Sequence, residues 1–187
     1  MRTAGALLVA LVGALVTGCG DAGQTSGAGV PECEASGELV TIAQAVPTAT
    51  FVPCIEALPV GWSFGDMEVR DGRASFTLSN DRAGVRSVEV TLEATCDTSD
   101  ATELSGSGRP HRFLRVDELS TRRRGAWLHR FPGGCVTYGF SVPTDTYDFD
   151  AFNVELETAL GFFSRRTIAA DVMRRYGAEL DGSTVAT

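Results

Sequence analysis

The chain lacks an apolar run long enough to cross a membrane as a helix. The apolar stretch from Ala4 to Val16 is shorter than the roughly 20 residues that span the hydrocarbon core. The sequence also has no internal repeat, and its 187 residues suffice for one domain with a hydrophobic core. These features disfavour a helical membrane protein and predict a single folded domain.

Positive charge is scarce, and lysine is absent. All 16 basic residues are Arg, and the formal net charge is -8. A chain with this excess of negative charge repels phosphates, which disfavours general nucleic-acid binding. A hydrophobic content of 43% and a charged content of 21% are those of a globular protein. The use of Arg alone, with 21 Gly, is typical of a high-GC genome such as those of actinobacteria.

The sequence has none of the common metal or cofactor motifs. It contains no HExxH, no Walker-type glycine loop and no C-x-x-C pair. Asp145, Asp148 and Asp150 do not match an EF-hand loop, and the preference for acidic residues at the start of a helix explains them better. We therefore predict no metal and no cofactor.

The N-terminal segment has the features of a secretory signal peptide, because Arg2 precedes an apolar run that small residues close. The run ends at Val16-Thr17-Gly18-Cys19. This tetrapeptide resembles the lipobox of bacterial lipoprotein precursors, in which an aliphatic, a small or hydroxyl residue and Gly or Ala precede Cys. The resemblance implies diacylglycerylation of Cys19 and cleavage between Gly18 and Cys19. An ordinary cleaved signal with an incidental Cys is the alternative.

The other cysteines number four, namely Cys33, Cys54, Cys96 and Cys135. An even number in an exported chain predicts two disulfides. Three connectivities are open, and the sequential pairing of Cys33 with Cys54 and Cys96 with Cys135 is favoured because it closes short or moderate loops. Each bond is expected to stabilise the fold by roughly 3–4 kcal/mol. A zinc site is the functional alternative, but an oxidising compartment disfavours it.

Composition divides the chain into four parts. Residues 1–18 are the predicted signal peptide, and residues 19–31 are the lipid-modified Cys with a flexible tether rich in Gly, Ser and Ala. Residues 32–181 are predicted to form the domain, and residues 182–187 a disordered tail. A diacylglycerol supplies the two acyl chains that stable anchoring requires, so we predict a lipid-anchored protein on the extracytoplasmic face of the cell membrane.

Alternating apolar and polar residues predict an antiparallel sheet. In Ser87–Cys96 every second residue is apolar, which places the Cys96 sulfur on the core face. Asp71-Gly72 lies between two alternating runs and predicts a hairpin with a type I′ turn. Three further strands are predicted at His111–Leu119, Arg122–Phe131 and Cys135–Val142.

Helical periodicity predicts a short helix at Glu38–Val46 and two longer helices near the C-terminus. The first of the longer ones is amphipathic and ends with Arg165 and Arg166, as the helix dipole prefers. The second runs from Thr167, as N-cap, to Tyr176, with Gly177 as the stop. The stripe of the amphipathic helix is formed by Phe149, Phe152, Leu156, Leu160 and Phe163.

Strands followed by helices indicate an α+β fold. We predict an antiparallel sheet of about five to six strands, with a C-terminal amphipathic helix packed on one face and two disulfides. The residues do not assign the folded domain to a characterised family.

One literal catalytic motif occurs. Residues 61–65 fit G-x-S-x-G, the nucleophile elbow of α/β-hydrolases, and would make Ser63 a nucleophile with His111 or His129 as its base. The motif needs a strand before the Ser and a helix after it, whereas Pro59 precedes it here and a strand-like run follows. We expect a coincidental spacing in a Gly-rich protein, and His129 to be structural because it shares a strand face with Trp127.

Charge is distributed unevenly along the chain. Seven Arg and both His lie between Arg109 and Arg130, against only two acidic residues. A basic sheet face on a tethered protein would suit lipid head groups, cell-wall phosphates or an acidic partner protein. The alternative is a solvated strand whose Arg side chains pair with Glu89, Glu93 or helix acids. The candidate anionic-partner patch consists of Arg112, Arg115, Arg122, Arg124 and Arg130.

These observations predict a membrane-anchored lipoprotein that acts as a binding or accessory module of the cell envelope, with no evident catalytic activity. An envelope hydrolase using Ser63 and a His is the first alternative. The second is a carrier of lipid or another apolar ligand, in which the Phe-rich helix would cover a cavity in the sheet.

Overall fold

The computed structural model describes residues 29–104, 110–145 and 147–181. Cys19, the signal peptide, most of the tether and the tail at 182–187 lie outside these ranges, so what the sequence predicts for them stays a prediction. Within the described ranges no helix is both long and apolar enough to cross a membrane.

Along the described chain, helix α1 is followed by eight strands, β1 to β8, and then by α2, β9 and α3. The helices are α1 (Gly37–Ala45), α2 (Phe149–Ala159) and α3 (Arg165–Tyr176). The strands are β1 (Phe51–Ile55), β2 (Trp62–Arg70), β3 (Arg73–Asn80), β4 (Gly84–Glu93), β5 (Thr102–Glu103), β6 (His111–Leu119), β7 (Arg122–Phe131), β8 (Gly134–Pro143) and β9 (Leu160–Ser164).

The fold is α+β, as the sequence predicts, but the main sheet is larger than expected. It has seven strands in the order β2-β3-β4-β8-β7-β6-β5, and all its neighbours are antiparallel. Strands β1 and β9 pair separately as a two-stranded antiparallel sheet. The buried side chains of all three helices and of β1 and β9 pack into one core with the main sheet, so these elements cover a single face of it.

The predicted hairpins are present, although one turn differs from the expectation. Strands β6, β7 and β8 follow one another in space as in the chain, with turns after Leu119 and after Phe131. Between β2 and β3, only Gly72 has a positive φ, of 80°. A type I′ turn needs a positive φ at Asp71 as well, so that prediction is wrong, and the signs are those of a type II turn.

The predicted amphipathic helix ends earlier than its apolar stripe. Leu160 already has extended backbone angles, and the segment after α2 forms β9, in which Phe163 pairs with Val52 of β1. Pairing with a neighbouring strand therefore overrides the helical period in this segment. Helix α3 starts at Arg165, with Ser164 rather than Thr167 at the N-cap.

The outcome for the ends of the helices is mixed. Arg165 and Arg166 begin α3, so the prediction that they end the preceding helix is wrong. Gly177 ends α3 in the left-handed conformation, with φ of 62°, which confirms the predicted stop.

Aromatic side chains join α2 to the sheet. The Trp127 ring of β7 lies 4.3 Å from the Phe140 ring and 5.5 Å from the Phe149 ring, and it stacks on Phe152 at 6.2 Å. Trp62 also stacks on Phe152, at 5.5 Å between ring centroids. The Phe side chains of α2 thus fill the space between helix and sheet, where a carrier would hold its ligand.

Both predicted disulfides form, joining Cys33 to Cys54 and Cys96 to Cys135. The expected place of the Cys96 sulfur is wrong, because β4 ends at Glu93 and the alternation stops there. Cys96 packs with Cys135 and Leu128 in a small apolar cluster apart from the main core.

Removing either disulfide is expected to lower the free energy of unfolding by about 3–4 kcal/mol, because the unfolded chain gains freedom. The Cys96–Cys135 bond closes the longer loop, 39 residues apart in sequence against 21, and its loss should cost slightly more. Urea unfolding of the two double Cys→Ala variants measures this. A loss below about 1 kcal/mol in both would contradict the expectation.

Candidate functional site

The face of the main sheet opposite the helices is called the open face below, and the face under the helices is called the covered face. A row of side chains crosses the open face, polar at the β3 end and apolar at the β6 end. Strand register aligns Ser75, Thr91, Thr137, Leu128 and Phe113 across β3, β4, β8, β7 and β6. Among the described residues no helix packs on this face. The segment after β4, which holds Cys96 and Ala101, covers only the small cluster around Leu128.

The open face contains a depression of about 400 Å³. Its floor is made by neighbouring positions of β4, β8 and β7, and its rim by charged side chains of β3, β4, β6 and the segment after β4. The residues lining it are Arg73, Glu89, Thr91, Glu93, Thr95, Cys96, Asp97, Arg115, Leu128, Thr137 and Gly139.

Arg73 holds one side of the depression. Its guanidinium donates to Glu93 Oε1 at 3.0 Å, to Glu89 Oε1 at 3.1 Å and to the Thr91 hydroxyl at 3.2 Å. These groups are partly exposed, so the ion pairs contribute little to stability. They do fix the orientation of two carboxylates, and the second oxygen of each has no hydrogen-bond partner among the described residues.

Arg115 and Asp97 lie on the other side. Arg115 Nε donates to Asp117 at 2.7 Å. Asp97 accepts a hydrogen bond from the Ser99 amide at 2.9 Å, and this bond, together with the charge of Arg115, lowers the pKa of Asp97. Every charged group in the depression therefore has an opposite charge near it.

Gly139 leaves part of the floor of the depression without a side chain. A Cβ built on Gly139 meets only the carbonyl oxygen of Glu89, at 3.7 Å, which is an ordinary contact. Its φ is not in the left-handed region, so a larger residue would fit the strand and project into the depression.

The five Arg side chains of the predicted anionic-partner patch do not form one surface. Arg112 is opposite His129 in the register, on the helix-covered face, and donates to Glu157 of α2. The alternation that places Arg122, Arg124 and Arg130 on one face is present, with Ala126 and Leu128 between them. Arg112 therefore pairs with an acidic residue of a helix, as the alternative interpretation of the patch expects.

The remaining patch residues are also engaged. Arg122 donates to Ser141 Oγ at 2.7 Å and to the Ala83 carbonyl at 2.9 Å. The Arg130 guanidinium lies 5.1 Å from the centre of the Phe113 ring. Arg124 lies opposite Ser141 in the register. The contacts of Arg122 and Arg130 are with uncharged groups, and four of the five patch residues share the open face, so a basic surface there stays a prediction.

His129 is buried on the covered face, as its position beside Trp127 predicts. Its ring lies 4.7 Å from Tyr138 and 5.2 Å from Phe162, measured between centroids. Burial, aided by the charge of Arg112, lowers the pKa of His129 to about 4. Burial also raises the pKa of Tyr138. Both side chains are neutral at pH 7 and pack as core residues.

Ser63 and the two His lie far apart. Ser63 is the second residue of an antiparallel strand, β2, and further strand rather than a helix follows it. Three strands separate β2 from the β7 strand of His129, a distance of roughly 19 Å at the usual strand spacing. His111 lies one strand further. These residues cannot form a Ser–His pair in this fold.

The acidic residues before α2 serve the helix. Asp148 is its N-cap, and Asp148 Oδ1 accepts from the Ala151 amide at 2.8 Å, as expected. They border a second depression of about 360 Å³, where Arg123 lies 4.2 Å above the Phe149 ring. No group of His, Cys, Asp or Glu in the described ranges has the arrangement of a metal site.

Glu155 of α2 accepts hydrogen bonds from three separate segments of the chain. It accepts from Trp62 Nε1 at 2.7 Å, the Tyr147 hydroxyl at 2.5 Å and Arg82 at 2.5 Å. Burial alone would raise the pKa of Glu155, but these hydrogen bonds hold it below its usual range. Burial and the bond to Glu155 raise the pKa of Tyr147 to about 12. All three donors are thus fixed around one carboxylate.

Comparison with known proteins yields little. No protein-family model matches the chain, and neither does any curated protein. The chain is similar to a protein of Bacteroides thetaiotaomicron VPI-5482 whose crystal structure was determined at 1.50 Å resolution, with a TM-score of 0.38 and 13% identity. The match covers 70% of this chain and 60% of that one, so the chain spans less than two thirds of its length. A likeness this distant supports no functional argument.

Sequence reasoning missed the depression. The polar alternation of Glu89, Thr91 and Glu93 indicates a solvent face, but nothing local shows that β8 would bring Thr137 and Gly139 beside them. That neighbour is set by a pairing between strands 40 or more residues apart, which local periodicity does not report.

We expect the stability of the protein to fall as the pH is lowered from about 6.5 to about 4, because the unfolded chain protonates His129 and the folded chain excludes that proton. The protonation of His129 in the unfolded chain should make the free energy of unfolding about 2 kcal/mol lower at pH 5 than at pH 7. Urea unfolding at both pH values should show a smaller loss for His129→Gln than for the wild type.

His111→Gln is the matched control, since His111 is more than half exposed. His111→Gln should lose as much stability between pH 7 and pH 5 as the wild type does. Equal pH dependence in the wild type and His129→Gln would contradict the assignment of this loss to His129.

Proposed function

We propose that the chain is a lipid-anchored extracytoplasmic lipoprotein whose domain is a binding or accessory module of the cell envelope, with the open face as its binding surface. The lipobox-like sequence ending at Cys19 supports the anchor. The two disulfides support an oxidising compartment outside the cytosol.

The observation that carries the binding role is the one-sided layering of the domain. The helices and the β1–β9 sheet bury one face of the seven-stranded sheet. The opposite face exposes a preformed depression whose charged side chains are held by one another. Binding there would need little rearrangement, which favours affinity.

The place where the described chain begins fits this role. The Pro31 carbonyl accepts from the Ile55 amide at 2.8 Å, and Glu32 bridges to Ile55 of β1. Ile55 packs in the core of the covered face, so the chain enters the domain on the side away from the open face.

The anchor is tested by Cys19→Ala, which should leave uncleaved precursor and no lipid-modified product. The measurement is mass spectrometry of the mature protein from the membrane fraction. Processing of the wild type at a site other than Gly18–Cys19, with Cys19 unmodified, would contradict the anchor.

The binding role is tested by photo-crosslinking in intact cells. A photoreactive residue replaces Thr95, which lines the depression, or Val154, which is exposed on α2 and serves as the control. We expect crosslinks to an envelope component from position 95 and not from position 154. Crosslinks from position 154 alone would mean that the covered side, not the open face, is the binding surface.

A further inference from the structure

The depression contains charged side chains of both signs. The lining contains three carboxylates and two guanidinium groups, and each has a partner of opposite sign beside it. An anionic ligand would meet Glu89 and Glu93, and a cationic one would meet Arg73 and Arg115. Like charges brought together in a binding site are costly, so the depression disfavours ligands of either net charge.

The same groups leave hydrogen-bonding capacity open. Glu89 and Glu93 each use one oxygen on Arg73, and their second oxygens can accept. The Thr137 hydroxyl has no hydrogen-bond partner among the described residues, and it can both donate and accept. Hydroxyl groups of a ligand would gain charge-assisted bonds from the fixed carboxylates.

The shape of the floor suits a flat ligand. Gly139 adds no side chain, and Leu128 and Cys96, which belong to one small apolar cluster, are the apolar members of the lining. The volume of about 400 Å³ falls in the range of small-molecule sites. A polar rim around a small apolar floor matches a molecule whose edges bear hydroxyls and whose faces bear C–H groups.

We propose that the depression formed by Arg73, Glu89, Glu93, Thr137 and Gly139 binds a neutral, hydroxyl-rich ligand, namely a saccharide chain. The proposal rests on the proposed function, because it names the class of partner that the open face takes. The saccharide lies along the floor, its hydroxyls bonded to the two glutamates and to Thr137.

The test is binding of the mature full-length chain to an array of neutral oligomers of glucose, mannose, galactose, arabinose and N-acetylglucosamine. Chitosan serves as the cationic probe and dextran sulfate as the anionic one. We expect binding to at least one neutral oligomer and to neither charged polymer. Calorimetry on the bound oligomer should show that Gly139→Leu weakens binding by about tenfold or more, since the new side chain fills the floor.

Gly37→Leu is the matched control. A Cβ at Gly37 meets nothing within 4 Å, and Gly37 lies in α1, on the covered side. This variant should bind as the wild type does. Thr137→Val is a second variant that removes one hydroxyl with little change in shape, and it should also weaken binding. Its effect keeps the test decisive if Gly139→Leu does not fold.

Three results would overturn the proposal: no neutral oligomer binds, a charged polymer binds in their place, or the bound oligomer is unaffected by Gly139→Leu and Thr137→Val. Photo-crosslinking from position 95 separates this failure from failure of the proposed function. A crosslinked envelope protein together with a negative array would leave the binding module intact and remove only the saccharide.

Discussion

The architecture depends on the carboxylate of Glu155. It receives hydrogen bonds from Trp62 at the start of β2, from Tyr147 before α2 and from Arg82 in the turn between β3 and β4. A single residue of α2 is therefore bonded to three separate segments of the chain. Because three donors converge on one carboxylate, its ionised form is favoured although it is partly buried. With the stacking of Phe152 on both Trp62 and Trp127, this contact fixes α2 against one face of the sheet.

The position of α2 determines which face of the main sheet is covered and which is open. The chain after α2 turns directly into β9, which pairs with β1 and completes the cover over His129 and Tyr138. All the helices of the described chain then lie on the same side. The opposite side must be stable in water, and its Ser, Thr, Glu and Arg side chains satisfy this requirement. The polar depression is thus a consequence of one-sided layering as well as the surface proposed for binding.

The sequence is sufficient to predict the parts of this structure that depend on neighbours in the chain. The hairpins β6–β7–β8, the pairing of four cysteines and the Gly177 stop follow from local alternation, loop length and the freedom of glycine. The expectations for Leu160–Ser164, the Cys96 sulfur and Arg112 are wrong or incomplete because distant partners decide them. These partners are β1, the end of β4 at Glu93, and Glu157. The depression belongs to the same class, since it exists only when β8 pairs with β4.

The central claim is that the open face is the surface that meets a partner in the envelope. Carboxyl footprinting compares it with the covered side directly, because Glu89 and Glu157 have nearly equal exposure, 53% and 49%, and each is paired with an Arg. Labelling is carried out with a carbodiimide on intact cells and on the purified protein, and is read by mass spectrometry. We predict that labelling of Glu89 and Glu93 falls in cells while labelling of Glu157 is unchanged. Protection of Glu157 with Glu89 and Glu93 fully labelled would contradict the account.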